Sequence, residues 1–352
     1  MAGAREFFAG WRGFGRFWLL IAGLLGLAGV ALQMAGPPAP PAPRQVPGAP
    51  AQTSDAEKSP VAAAQPQATP PKTAARRPGR DTPGPIADPD PALLEPAPGF
   101  APNQLPRIAS DGRLPMQAYA AGFDGSSRRP RVGLVLAGLG LNQAESEAAV
   151  RALPLGITLA ISPYAQNTGK LLSAARSTEH EYLISIPMEP QGFPLNDPGK
   201  QALMTNLSME QNRARLIWVL SRLQGYVGAI GAEGSQRGER YASLPEEMGL
   251  VLGELAKRGL LYVDPRPGSQ PPALVWGRSV DVIVDEPPTA TDIETKLAQL
   301  VQIARAKGSA LGFAGTPHPV ILQRLAMWAA NLQADGLALA PVSALVQAPT
   351  GQ

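Results

Sequence analysis

Several apolar runs in this chain end in side chains that can do chemistry. The run ends are Ser185-Ile186-Pro187-Met188-Glu189-Pro190, Gly231-Ala232-Glu233-Gly234-Ser235, Asp264-Pro265-Arg266, Asp285-Glu286 and Gly315-Thr316-Pro317-His318. A carboxylate can act as a general base or ligate a divalent ion, and an imidazole can do either. Glu233, Asp264 and His318 together would offer two carboxylates and one imidazole, a set that zinc accepts. Asp264 and Arg266, two residues apart, suit a bidentate ion pair that orders a loop, or a polar cleft for sugar. Plainer readings stand beside these: Glu233 as a solvated loop carboxylate, His318 between two prolines as a rim residue, and His180 as a surface residue. Trp276 is the best placed tryptophan for stacking on a sugar. The chain has no cysteine and two histidines, which excludes a catalytic thiol, disulfides, thiolate metal sites and a histidine-rich metal centre. A net charge of +3 is too small to argue for nucleic acid.

The runs themselves define the elements that must position these groups. Strands are expected over Arg131–Ala137, Ile157–Ser162, Tyr182–Met188, Val227–Ala232, Leu260–Asp264, Asp281–Asp285, Ala310–Ala314 and Leu337–Pro341. They are continuously apolar rather than alternating, as parallel strands covered on both faces are. Helical patterns lie between them. Ser208 with Gln211, Ser243 with Glu246 and Thr291 with Glu294 read as capping boxes. Further helices are expected over Gln143–Ala152, Thr168–Ser177 and Pro319–Gln333. Alternating strands and helices imply right-handed crossovers and a parallel sheet. Seven or eight such units, with no complete glycine fingerprint for a dinucleotide after the first strand, fit a (β/α) barrel, whose chemistry sits at the C-terminal strand ends.

The front third differs in kind. Phe17–Leu32 is uncharged and almost wholly apolar, close to the length of a bilayer-spanning helix. Arg5, Arg12 and Arg16 precede it, and no basic residue follows until Arg44, so the positive-inside bias puts the N-terminus in the cytoplasm. The flanks favour an uncleaved anchor over a signal peptide. Residues 36–129 are rich in proline, alanine and small polar residues and are expected to form a disordered spacer. The expected organisation is therefore a cytoplasmic N-terminus and membrane helix over 1–35, a linker over 36–129 and a folded domain over 130–348.

The order and spacing of the strand-end motifs resemble the divergent polysaccharide deacetylase family, relatives of metal-dependent carbohydrate esterases. The resemblance rests on Pro187-Met188-Glu189-Pro190 together with the closing Leu339-Ala340-Pro341-Val342-Ser343-Ala344-Leu345, and it spans Arg131 to about Leu345. It implies an α/β fold, a distorted (β/α) barrel of polysaccharide deacetylase type. The family pattern carries an aspartate pair after the first strand and histidines at the third, fourth and seventh. Here those positions are Ala137 and Gly138, then Ser185, Ala232 and Thr316. Glu189, Glu233, Asp264, Arg266, Asp285 and His318 remain as candidates for a remnant site.

Metal-assisted deacetylation needs a bound divalent ion and a carboxylate base. With the ligand positions replaced, the expected protein is a non-catalytic envelope protein without a metal cofactor, binding cell-envelope glycan or a partner protein. It would be single-pass in the inner membrane with its folded domain in the periplasm. Two alternatives stand: an active deacetylase with zinc or another divalent metal held by a rearranged site, and an envelope scaffold without ligand.

Overall fold

The computed structural model describes residues 78–350. Strands β1 (Leu94–Pro96) and β2 (Gln104–Pro106) form an antiparallel hairpin, and α1 (Pro115–Ala118) follows. Next come β3 (Arg131–Leu139), α2 (Gln143–Ala152), β4 (Ile157–Ile161), α3 (Gly169–Ser177), β5 (Tyr182–Ser185), α4 (Met209–Leu220) and β6 (Gly228–Ile230). Helices α5 (Glu239–Ala242) and α6 (Pro245–Lys257) lead to β7 (Leu261–Asp264), β8 (Gly277–Ser279) and β9 (Val282–Ile283). The last elements are α7 (Ala290–Lys307), β10 (Ser309–Ala314), α8 (Pro319–Leu332) and β11 (Ala338–Leu339).

Parallel pairing runs from β10 through β3, β4, β5 and β6 to β7. The segment from β8 to β9 links the two ends. β8 pairs with β7, and β9 pairs with β10. Between them Val280 N–H donates to Asp264 O at 2.9 Å and Asp281 N–H donates to Leu311 O at 2.8 Å. The chain thus changes partner between two short strands, and the sheet curls in the manner of the expected distorted barrel.

Alternation along each strand sorts side chains into two layers. Val135, Ala160, Leu183, Ile230, Val263 and Phe313 belong to one buried cluster, inside the curl. Leu134, Leu159, Ile184 and Tyr262 belong to the cluster packed against the helices. Both faces are covered, which is why the strands read as unbroken apolar runs.

The cap chemistry is partly as expected. Ser208 and Gln211 form the capping box of α4. Ser243 does not cap α6: its hydroxyl donates to Arg240 O at the end of α5, and Pro245 opens α6 instead. The cap of α7 is Thr289 rather than Thr291, accepting from Asp292 N–H.

The expected disordered spacer does not extend through residues 78–129. Ile86, Leu93, Leu105, Met116, Tyr119 and Ala120 are buried. Arg258 of the barrel donates to Glu95 at 2.7 Å and to Pro106 O at 2.8 Å, fixing the hairpin. The prolines sit where a missing N–H costs little: Pro91 and Pro115 open short helices, and Pro96 and Pro106 lie on a two-stranded ribbon. The remaining spacer residues and Phe17–Leu32 lie outside the described residues. Among the described residues no helix is long and apolar enough to cross a membrane.

The N-terminal end of the barrel is closed by a buried polar knot. Glu181, just before β5, accepts from Ala121 N–H (3.1 Å), Ser343 N–H (3.0 Å), Ser343 Oγ–H (2.6 Å) and Thr158 Oγ1–H (3.1 Å). Thr158 Oγ1 in turn accepts from Val342 N–H at 3.0 Å. The Pro341-Val342-Ser343 motif is therefore the fastening of a plug.

Candidate functional site

At the opposite, C-terminal end of the strands, the polar candidates do not form one constellation. Glu189 is 3 % exposed and committed: Thr205 donates to it through N–H (2.6 Å) and Oγ1–H (2.7 Å), and Arg240 pairs with it at 3.0 Å. It fastens the loop between β5 and α4. Asp264 and Arg266 form the expected bidentate pair, with Nε to Oδ1 at 2.9 Å and an Nη to Oδ2 at 2.6 Å. Arg266 N–H also donates to Asp264 Oδ1 at 3.0 Å, so the pair clamps its own turn. The guanidinium is held above its ordinary pKa chiefly by its hydrogen bonds to Asp264.

Asp285 Oδ2 accepts from Gly315 N–H at 2.7 Å, while Oδ1 has no partner. Burial raises its carboxyl above the usual aspartate range. His318 precedes α8 with a side chain 53 % exposed, its Nδ1 lying 3.5 Å from Glu145 on α2. That agrees with the rim reading.

Glu233 is not the solvated loop carboxylate that its sequence surroundings suggest. It is 9 % exposed, and among the described residues neither oxygen has a hydrogen-bond partner of normal geometry. Burial pushes its carboxyl up to about 7, with the nearby Ser162 hydroxyl opposing. Ser162 follows β4 and Ser185 ends β5. Ile161 is paired with Ile184, so the two serines lie level on neighbouring strands. The Ser185 hydroxyl is buried without a partner. Glu233, Ser162 and Ser185 are the polar groups that the strand register brings together at the barrel mouth. Ser162 was not legible as part of a site, because nothing near it in sequence marks it.

His180 is buried rather than at the surface. Its Nδ1 lies 2.9 Å from Ile157 O, and burial lowers its pKa. Trp276 sits at the start of β8, the N-terminal end of the barrel, with its carbonyl accepting from Tyr262 N–H at 2.9 Å. It is not placed to stack a ligand at the mouth.

The positions where the resemblance implies metal ligands are filled differently. Ala137 and Ala232 are apolar members of the buried interior. Gly138 has φ +74°, and a Cβ there would lie 2.8 Å from Gly315 O. A Cβ on Gly315 would in turn lie 2.6 Å from Ser235 Cα. The end of β3 and the loops after β6 and β10 thus pack main chain against main chain. Among the described residues no three of His, Asp and Glu come together to hold a metal ion, so Glu233, Asp264 and His318 do not make the rearranged site. Among the described residues, those at the barrel mouth do not fit the metal of a carbohydrate esterase.

The fold defines an α/β protein whose curled parallel sheet is of the deacetylase-barrel type. The chain belongs to the divergent polysaccharide deacetylase family, whose model matches residues 134–346. It is similar to the uncharacterized protein YibQ of Escherichia coli (strain K12), 24% identical over 212 residues, covering 58% of this chain and 64% of that one. The chain thus matches less than two thirds of that relative's length. It also resembles the crystal structure of the uncharacterized protein ATU2773 from Agrobacterium tumefaciens C58. That likeness has a TM-score of 0.63 and 31% identity, and covers 69% of this chain and 100% of the other.

Proposed function

We propose that this protein is a non-catalytic member of its family, a membrane-anchored envelope protein whose barrel mouth face binds glycan or a partner protein. The observation that carries this reading is that Gly138, at one position where the resemblance implies a donor, is packed against the main chain of Gly315, which in turn packs on Ser235. A divalent ion needs oxygen or nitrogen ligands converging on one point. Ala137, Gly138 and Ala232 supply no side-chain donor at theirs. The same face exposes Leu141, Leu195, Met209 and Leu244, on loops or first helical turns after β3, β5 and β6. Those side chains favour a protein partner over a sugar, which aromatic faces and hydrogen bonds hold better.

The test is elemental analysis of the purified full-length chain after dialysis against zinc, with release of acetate from acetylated oligosaccharides as the second readout. The expected result is no stoichiometric metal and no acetate. Stoichiometric zinc that disappears in Glu233→Ala or His318→Ala would overturn the reading and favour a hydrolase.

The topology has its own test. The chain has no cysteine, so one introduced thiol reports alone. Ser173 is exposed on α3. In spheroplasts, Ser173→Cys is expected to react with a membrane-impermeant maleimide without permeabilisation. Labelling only after lysis would place the domain in the cytoplasm and sink the envelope reading.

A further inference from the structure

The loop between β6 and α5 is built like a stopper. Glu233 and Gln236 close a tight turn, with Glu233 N–H donating to Gln236 O at 2.8 Å and Gln236 N–H donating to Glu233 O at 3.0 Å. Gly234 (φ +56°) and Gly238 (φ +58°) give the turn two left-handed joints that other residues adopt reluctantly. The tip at Ser235 rests on Gly315. The far joint rests on Met188, whose Cβ would be 2.4 Å from a Cβ on Gly238. The loop is therefore seated on the segments after β5 and β10.

The side chain that goes down into the mouth is Glu233. Its two oxygens and Gln236 Oε1 are buried with no partner. The groups around it leave it without a counter-charge. From the β4 side come the Ser162 hydroxyl and Tyr164, whose phenol burial pushes up to about 12 and which stays neutral throughout. From the β5 side, Glu189 is tied to Arg240 and Thr205. After β9, Asp285 is tied to Gly315, and Glu286 is paired with Arg237, which also meets Glu239. Among the described residues no cation pairs with Glu233, so the seated loop needs the carboxyl as a neutral acid.

We propose that residues 233–238 are a proton-operated plug on the barrel mouth, seated while Glu233 is neutral and released when it ionises. Release would uncover the Ser162 and Ser185 hydroxyls. What it uncovers as a binding face rests on the function proposed above; the release itself does not. The direction follows from burial. Burial without a counter-charge pushes the seated carboxyl up to about 7, and water returns a released one to the ordinary glutamate range, so rising pH drives release.

Hydrogen–deuterium exchange of the full-length chain in detergent, without ligand, tests this. Opening of peptides covering 231–238, corrected for intrinsic exchange, is expected to rise on the order of thirtyfold between pH 5.5 and pH 8.5. Peptides from α7 should not change, and they confirm that each variant is folded. In Glu233→Gln the rise should vanish. In Asp285→Asn, which removes another acid of the mouth that has no counter-charge among the described residues, it should persist. A wild-type loop equally protected at both pH values would overturn the plug, as would a rise that survives in Glu233→Gln or is lost in Asp285→Asn. Because no ligand is used, such a result would leave the binding reading standing.

Discussion

Glu181→Ala is expected to cost about 3–5 kcal/mol of folding stability, enough to unfold many domains of this size near physiological temperature. The carboxylate is fully buried and accepts four hydrogen bonds, two of them from the main-chain N–H groups of Ala121 and Ser343. Alanine removes the acceptor and leaves those donors in a dry environment, where an unpaired amide costs far more than a bond gained in water is worth. Burial outweighs the four donors and holds the carboxyl above its ordinary pKa. The knot therefore opposes ionisation of its own carboxyl, yet cannot be removed piecemeal. Ser343→Ala takes away one donor and should cost about 1–2 kcal/mol. Urea unfolding followed by tryptophan fluorescence checks both. Equal, small losses would show that the Pro-Val-Ser segment is not what fastens the barrel floor.

How much of this could be read in the sequence depended on whether a feature was local. The barrel strands were legible because each is an apolar run, and burial on both faces needs nothing else. β8 was not, because Gly277-Arg278-Ser279 is polar and small and becomes a strand only through pairing with β7. The Asp264–Arg266 pair was legible, since both partners lie on one turn. Glu233 and His180 were misread for the same reason. Each stands among polar or small neighbours in sequence, and each is buried by segments far away, Glu233 facing Ser162 after β4 and His180 lying against Ile157. The hairpin of residues 94–106 was lost in a composition argument, because proline content counts residues without asking where each missing N–H falls. What the family motifs conveyed was the fold and the positions where the resemblance implies donors, not how the main chain packs at those positions.

That space is where the second large effect is expected. Gly138→Asp, which restores one acid of the family pair, should lower stability by about 2–4 kcal/mol and should not recruit metal. The residue is in the left-handed region, which a side chain with a Cβ enters at a cost of about 1–2 kcal/mol. The new Cβ would also stand 2.8 Å from Gly315 O and 3.3 Å from Pro317 Cδ, so the loop after β10 must move. It cannot move freely, because Gly315 is itself pressed on Ser235 and hydrogen-bonded to Asp285. Gly138→Ala separates the two contributions: it brings the same clash and the same strain without a charge, and should cost nearly as much. Adding Ala137→Asp, Ser185→His, Ala232→His and Thr316→His to Gly138→Asp would return every donor of the family pattern to its position. Unfolding midpoints and zinc content of this variant then decide between two histories of the site. Zinc bound at one equivalent would mean that only side chains were lost. An unstable protein with no zinc, the outcome expected here, would mean that the main chain has closed over the site, and that binding at this face must use the loops that did the closing.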